Sequence, residues 1–467
     1  MKKLFFALLL CAVCLHAAKP KYIFLFIGDG MSTPQRMIAE EFAIASGHGK
    51  LQLNHMQYHA TTRTASANSL VTDSAAAATA IACGEKTNNG RIGVGADGSQ
   101  KLVSCAEVAR DAGRKVGIVT SVTINHATPA GFYAHRSNRS LYYQIGLDLI
   151  ASGFDFFGGG GFGSKQEDKT DDPMYKGNLF ELAAQAGYKV VHGRDGFAEL
   201  KKGDGKVLAL GREGALDYQL DYDGTVPSLK EYVEKAVEML EDGEKGFFLM
   251  VEGGSIDWCG HANDAAGNLN EVLGLDRAVQ VAFAFAERHP DETLIVVTGD
   301  HETGGMTMGF AGSGYALNTA LLTNQKCSTG NFAQKLNKRI QEREKEIEKA
   351  KAEHAENAEE HPPLAFDDVR EMLTENFGFL FEGDVKKNPM VLKEAEIQAL
   401  KKAFGEKKLP QAAQRILSEK AGVSWTTGSH SALPVLTTSS GVGAERFTGF
   451  LDNTDIARLM KELVAAE

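Results

Sequence analysis

An aspartate and a serine, Asp73 and Ser74, stand inside the run V-T-D-S-A-A-A-A-T-A at Val71–Ala80. Alanine is the strongest helix former, and Asp and Ser favour the cap. The pair therefore falls where unpaired backbone N–H groups and the positive end of the helix dipole point outward, a place for an anion. Alone, this is an ordinary helix start. Its company gives it weight: Gly28-Asp29-Gly30, Glu252, Asp257 with His261 four residues on, and the adjacent pair Asp300-His301. A carboxylate and an imidazole at that spacing, joined by a second oxygen and nitrogen pair, form donor sets that suit zinc. Two divalent ions a few ångströms apart clamp the attacking and leaving oxygens of an in-line phosphoryl displacement, and one of them can ionise a serine hydroxyl. Ser74 is the serine available.

Such a site needs a frame. Apolar, β-rich runs recur at Tyr22–Ile27, Val116–Thr120, Phe247–Val251 and Leu294–Thr298, each followed by polar or glycine-rich residues. Continuous apolar strands separated by helical stretches predict a mostly parallel sheet covered on both faces. Ser228-Leu229-Lys230-Glu231 reads as a capping box opening a helix to about Asp242, and Asn270–Arg288 as a helix that stops before Pro290. This is the βαβ alternation of a doubly wound α/β fold. Asp29, Glu252 with Asp257, and Asp300-His301 each follow a different predicted strand, so they converge on the carboxyl edge of one sheet, where open α/β sheets bind ligands. Any one of these residues by itself reads as solvated surface. The coincidence at several strand ends carries the argument.

The chain of 467 residues has room for one large α/β domain or a few smaller ones. Met1-Lys2-Lys3 and the apolar stretch Leu4–Val13 have the pattern of a secretory leader, predicted here as residues 1–18, with no lipoprotein-type signal at Cys11 or Cys14 and no membrane span needed. Export to the periplasm or beyond is expected. Loss of Lys2 and Lys3 takes the formal charge from -11 to -13, which argues against nucleic acid as a specific partner. An acidic protein can still bind an anionic substrate where metal ions reverse the local charge. Cys83, Cys105, Cys259 and Cys327 remain; an exported chain permits disulfides, and the sequence does not choose among the pairings.

These residues together resemble the metal-dependent alkaline phosphatases. The likeness runs from Ile27-Gly28-Asp29-Gly30-Met31 to Phe447-Thr448-Gly449, apart from roughly residues 331–420. T-D-S-A-A-A-A-T-A is similar to the family's nucleophile motif, V-E-G-G-S-I-D-W-C-G-H to its double metal motif and T-G-D-H-E to its third. The resemblance implies phosphate monoester hydrolysis through a phosphoserine at Ser74, with two zinc ions and one magnesium. By the same likeness Asp257, His261 and His430 hold the first zinc. Asp29, Asp300 and His301 hold the second beside Ser74, and Asp29 bridges to a magnesium shared with Thr128 and Glu252. Arg139, eleven residues past Thr128, matches the family's phosphate-binding arginine, with Arg136 as the competitor and Asp73 placed to orient the guanidinium. His126 and Trp258 stand where some members carry an aspartate and a lysine or histidine; both are expected beside the metal residues, with His126 a hydrogen-bonded neighbour rather than a ligand. A homodimer is compatible with the family.

Between Asn331 and Glu360, 15 of 30 residues are charged, with Phe332, Leu336 and Ile340 as a thin apolar stripe. This predicts an exposed helix broken by Pro362-Pro363, with further helices over Leu392–Phe404 and Ala412–Glu419. Because His430 follows it, the expected organisation is a discontinuous catalytic domain, 19–330 with 421–467, interrupted by a mainly helical insertion, 331–420. A sulfatase would want a Cys/Ser-x-Pro-x-Arg motif at the nucleophile and a phosphodiesterase on the same scaffold typically a threonine there; the Asp73-Ser74-Ala75 context offers neither, although Ser32-Thr33-Pro34-Gln35-Arg36 fits the first string elsewhere in the chain. A non-catalytic phosphate- or zinc-binding protein would lack a ligand, and none is missing.

Overall fold

The computed structural model describes residues 19–163, 174–352 and 362–465, so the predicted leader, residues 1–18, lies outside it. In chain order the strands are β1 (Tyr22–Gly28), β2 (Tyr58–Arg63), β3 (Lys115–Thr123), β4 (Phe156–Gly160), β5 (Tyr188–His192), β6 (Lys206–Leu210), β7 (Phe247–Gly253), β8 (Thr293–Gly299), β9 (Glu302–Thr303), β10 (Met306–Met308), β11 (Val423–Trp425), β12 (His430–Ser431), β13 (Val435–Gly441) and β14 (Gly449–Asp452). Ten of them form one sheet in the order β14-β2-β13-β8-β1-β7-β3-β4-β6-β5. Neighbours pair in parallel except β13, which is antiparallel to both β8 and β2.

The strand β1 shows why the sheet is two-sided. Tyr22, Phe24 and Phe26 enter one apolar cluster, while Ile23, Leu25 and Ile27 enter another on the opposite face. Side chains alternate along a strand, so a strand with no polar interruption must be covered twice. Each such side chain contributes about 1.5–3 kcal/mol when fully buried.

Register then aligns the strand ends. Gly28 of β1 lies opposite both Gly253 of β7 and Gly299 of β8. Asp29 and Asp300 therefore leave the sheet side by side, with Glu252 one residue short of the β7 end. Gly299 is constrained by close approach, since a Cβ there would lie 2.1 Å from the Met31 carbonyl oxygen.

The helix predicted from the capping box runs Leu229–Leu240, with Ser228 accepting from the Glu231 N–H. The predicted Asn270–Arg288 helix begins earlier, at Ala265, because Asp264 caps it by accepting from the Gly267 N–H. Cys83, Cys105, Cys259 and Cys327 are all free and buried, so among the described residues no disulfide forms.

The three helices expected between 331 and 420 run Thr329–Ala352, Glu394–Gly405 and Leu409–Ala421, and a fourth, Arg370–Phe377, was not expected. Residues 353–361, where the first of these was predicted to end, lie outside the described residues. The segment is not an isolated satellite: Phe332, Leu336, Leu373, Leu400 and Leu417 belong to the same apolar cluster as Phe24 and Leu249.

Candidate active site

Ser74 begins the helix Ser74–Cys83, and Asp73 is its cap. One Asp73 oxygen accepts from the Ala76 N–H at 3.0 Å; the other accepts from the Gly90 N–H and from Arg139, each at 3.0 Å. This short segment thus starts the helix, sets the serine at its positive end and aims the guanidinium. The Ser74 hydroxyl is buried and lies 3.2 Å from His301 Nε2. The second guanidinium arm of Arg139 reaches His126 Nε2 at 3.3 Å. Arg136 is committed elsewhere, in a fork on Asp148 at 2.7 and 2.5 Å.

His301 Nε2 lies 3.4 Å from Asp29 Oδ1 and 3.3 Å from Asp300 Oδ2. Asp300 Oδ1 accepts from the Gly30 and His301 N–H groups at 3.0 and 2.8 Å. Thr128, in the short helix Ala127–Ala130, donates to Asp29 Oδ2 at 3.3 Å. Glu252 accepts from Thr120 Oγ1.

Asp257 and His261 occupy the short helix Ser255–His261, where i,i+4 spacing brings Asp257 Oδ2 within 3.4 Å of His261 Nε2. His430, on β12, places Nε2 3.5 Å from Asp257 Oδ1. Its ring stacks on His301 with centroids 3.6 Å apart. It arrives here because β13 is antiparallel: residues preceding that strand sit at the edge which the other strands reach by their carboxyl ends.

Several features fit bound cations. Asp29 Oδ1, Glu252 Oε1, Asp300 Oδ2 and His126 Nδ1 are buried without a hydrogen-bond partner. An uncompensated buried carboxylate costs on the order of several kcal/mol. Burial, then the charges of Asp300, Asp257 and Glu252, drives the Asp29 pKa well up; burial likewise raises Glu252 to about 8 and Asp300 to about 7. The two histidines are arranged to the same end. His261 Nδ1 lies 2.8 Å from the Gly428 carbonyl and His430 Nδ1 2.8 Å from the Thr72 carbonyl, so each Nδ1 carries a proton. In neutral rings both Nε2 lone pairs then converge at 3.2 Å, beside a carboxylate. A cation between them would relieve that opposition, and the carbonyl partners leave each Nε2 as the free donor atom.

The ligand atoms of Asp29, Asp300 and His301 lie within 4.8 Å of one another, as do those of Asp257, His301 and His430, and those of Asp29, His126 and Glu252. His126 is therefore closer to the carboxylates than a purely outlying neighbour. Burial, and next the Arg139 charge, push its pKa down to about 4 and keep the ring neutral. Trp258 meets the His126 ring edge-on, with centroids 6.1 Å apart. Sequence reading missed Thr303, whose hydroxyl donates to Asp257 Oδ1 at 2.5 Å and sits 3.2 Å from His301 Nδ1, and Thr120 beneath Glu252. Only the position of Thr303, two residues past His301, could have flagged it.

Arg139 and Arg136 make a direct comparison. With one arginine at the Asp73-Ser74 edge and the other locked on Asp148, Arg139→Ala is expected to lower kcat/KM by about 10²-fold and weaken inhibition by inorganic phosphate, the scale of a lost charge-assisted fork. Arg136→Ala is expected to act mainly on stability. Steady-state kinetics with phosphate as inhibitor checks the ranking.

Residues 20–466 match the family model described as alkaline phosphatase. Among curated relatives, alkaline phosphatase 3 of Bacillus subtilis (strain 168) is 33% identical over 83% of this chain and 76% of its own length. Alkaline phosphatase 4 of the same organism is 31% identical over 84% and 77%. The cold-active alkaline phosphatase of a psychrophilic Shewanella superposes with a TM-score of 0.77 at 28% identity, covering 95% of this chain and 99% of that one. The Thermus thermophilus enzyme superposes with a TM-score of 0.74 at 27% identity, over 95% and 91%. A match over nearly the whole length, on a fold whose strand ends gather these carboxylates and histidines, places the chain in the alkaline phosphatase family of metal-dependent phosphomonoester hydrolases.

Proposed function

We propose that the chain hydrolyses phosphate monoesters through a phosphoserine at Ser74, with two zinc ions and one magnesium. The observation that carries this is the Ser74 hydroxyl, buried at a helix N-terminus 3.2 Å from His301 Nε2 and next to the Asp73–Arg139 pair. Asp257, His261 and His430 would hold one zinc. Asp29, Asp300 and His301 would hold the other, and Asp29, Thr128 and Glu252 the magnesium, with His126 Nδ1 within reach. Cations there would supply positive charge for the phosphoryl oxygens and Lewis acidity at the serine hydroxyl.

The side chains then divide the work. Ser74 Oγ attacks phosphorus, forming an O–P bond as the bond to the alcohol oxygen breaks. Water next attacks the phosphoserine, releasing inorganic phosphate and restoring Ser74. Arg139 offers a planar fork to two phosphoryl oxygens, and Asp73 keeps that fork oriented between turnovers. The positive helix end favours the dianion at the same spot. Acid quenching during turnover of labelled substrate, followed by peptide mapping, is expected to place the phosphate on Ser74; no label on that peptide would refute the pathway.

The same reading gives the insertion a role in access. A cleft of about 770 Å³ lies between its helices, at Lys402, Arg415 and Ser418, and Asn263 and Trp425 of the body. Asn263 lies in the turn after His261, and its amide donates to the Thr427 carbonyl at 2.9 Å. Replacing residues 331–415 by a short Gly/Ser linker is expected to retain zinc, lower the melting temperature and change KM for bulky phosphomonoesters more than for p-nitrophenyl phosphate. Elemental analysis, thermal melts and paired kinetics test this.

A further inference from the structure

His430 differs from the other candidate ligands in how it reaches the site. It is separated from Asp300 by the whole insertion and sits on β12, a strand of two residues paired only to β9, His430 opposite Thr303 and Ser431 opposite Glu302. So short a ladder cannot hold a ligand by itself. Glu302 is fully buried, and its donors are uncharged: Oε1 accepts from Gln35 Nε2 at 2.7 Å and the Met306 N–H at 3.1 Å, and Oε2 from the Gly305 N–H at 3.0 Å and from the Ser431 hydroxyl. Gln35 also donates to the Thr303 carbonyl at 3.1 Å and accepts from the Ser32 N–H at 3.1 Å. Ser32 Oγ in turn donates to the Pro434 carbonyl at 2.8 Å.

The network therefore ties three separated pieces together: the helix start just after Asp29, the turn just after His301, and the chain on both sides of Leu433 just after His430. A carboxylate is required for it. Two oxygens that only accept can serve four converging donors, whereas an amide presents one oxygen and one donor group and must oppose a backbone N–H. Burying a charge without a counter-ion is costly, and such an arrangement persists where its hydrogen bonds are complete.

We infer that Glu302 is a positioning residue for the zinc site. With Gln35 and Ser431 it pins the His430–Ser431 strand against the Glu302–Thr303 strand, so that His430 Nε2 meets Asp257 and His261 before metal arrives. The inference rests on the reading of His430 as a metal ligand, and its test separates the two.

Stripped wild type, Glu302→Gln, Ser431→Ala and His430→Ala are titrated with zinc against a competing chelator, and each is assayed at limiting and saturating zinc. Glu302→Gln and Ser431→Ala are expected to weaken zinc binding by about 10- to 100-fold, the scale found for residues that orient ligands. Activity should fall at limiting zinc, return toward wild type at saturation, and leave KM little changed. Glu302→Gln combined with Ser431→Ala should weaken binding by less than the product of the separate effects, since both cut the same link. Wild-type zinc affinity in folded Glu302→Gln and Ser431→Ala, with His430→Ala impaired, overturns the inference alone. Wild-type affinity in His430→Ala overturns the ligand assignment and the inference with it. Global unfolding of both single variants assigns the network to general stability and also overturns it.

Discussion

Ser74→Ala is expected to lower kcat by at least about 10³-fold, because it removes the nucleophile rather than a contact that assists it. The fold should tolerate the change. Ser74 is the first residue of its helix, alanine is the better helix former, and the cap is made by Asp73, not by Ser74. The hydroxyl's neighbour is His301 Nε2 at 3.2 Å, so its loss leaves no backbone group unpaired. A circular dichroism spectrum and melting temperature close to wild type, with turnover of p-nitrophenyl phosphate nearly abolished and no acid-stable phosphoprotein, is the expected combination. A Ser74→Ala protein with kcat within a few-fold of wild type would exclude the serine pathway.

Removing metal is expected to be nearly as damaging, and its cost should depend on pH in a defined sense. Chelation, or substitution of His261 or His430 by alanine, takes away interactions worth several kcal/mol in the transition state, so activity should drop by about 10²-fold or more. Zinc with magnesium should restore the chelated wild type. Stability should follow the stripped site's protons. Burial holds Glu252 up at about 8 and Asp300 up at about 7 in the folded chain, so the folded form keeps protons that the unfolded form has released above about pH 4.5. Its stability is therefore lost as pH rises through that window. His261, raised to about 9 first by its hydrogen bond to Asp257, acts in the same direction: its contribution is full below about pH 6.5 and disappears as pH rises through 9. The melting temperatures of stripped and metal-loaded protein should thus lie closer at pH 5 than at pH 9. A gap that narrows with rising pH would contradict the buried-carboxylate account.

Much of this was legible in the chain before folding was considered. The apolar runs of β1, β3, β7 and β8 announce strands covered on both faces, because no polar residue interrupts them. Each metal-type side chain directly after such a run must emerge at the carboxyl edge of a parallel sheet, which is a consequence of strand direction alone. The Asp73 cap and the Ser228 capping box are likewise local, set by side chains that satisfy their own helix starts. The Asp257–His261 spacing needs only one turn of helix.

Non-local matters were decided by tertiary structure. Spacing favoured Arg139 over Arg136, but only the folded chain engages Arg136 with Asp148 and leaves Arg139 with Asp73 and His126. The approach of the His126 ring to Asp29 and Glu252 depends on how the Ala127–Ala130 helix packs over the sheet edge. The free state of the four described cysteines depends on where their helices pack, which no spacing encodes. His430 shows the limit most plainly. Resemblance and motif context could nominate it, whereas its arrival needs one antiparallel strand, β13, in an otherwise parallel sheet, and its fixing needs the Glu302, Gln35 and Ser431 network. The segments that build that network lie far apart in the chain, Ser431 129 residues from Glu302 and Gln35 267 from it, and a pairing across such a distance is determined only when the core brings both strands into register.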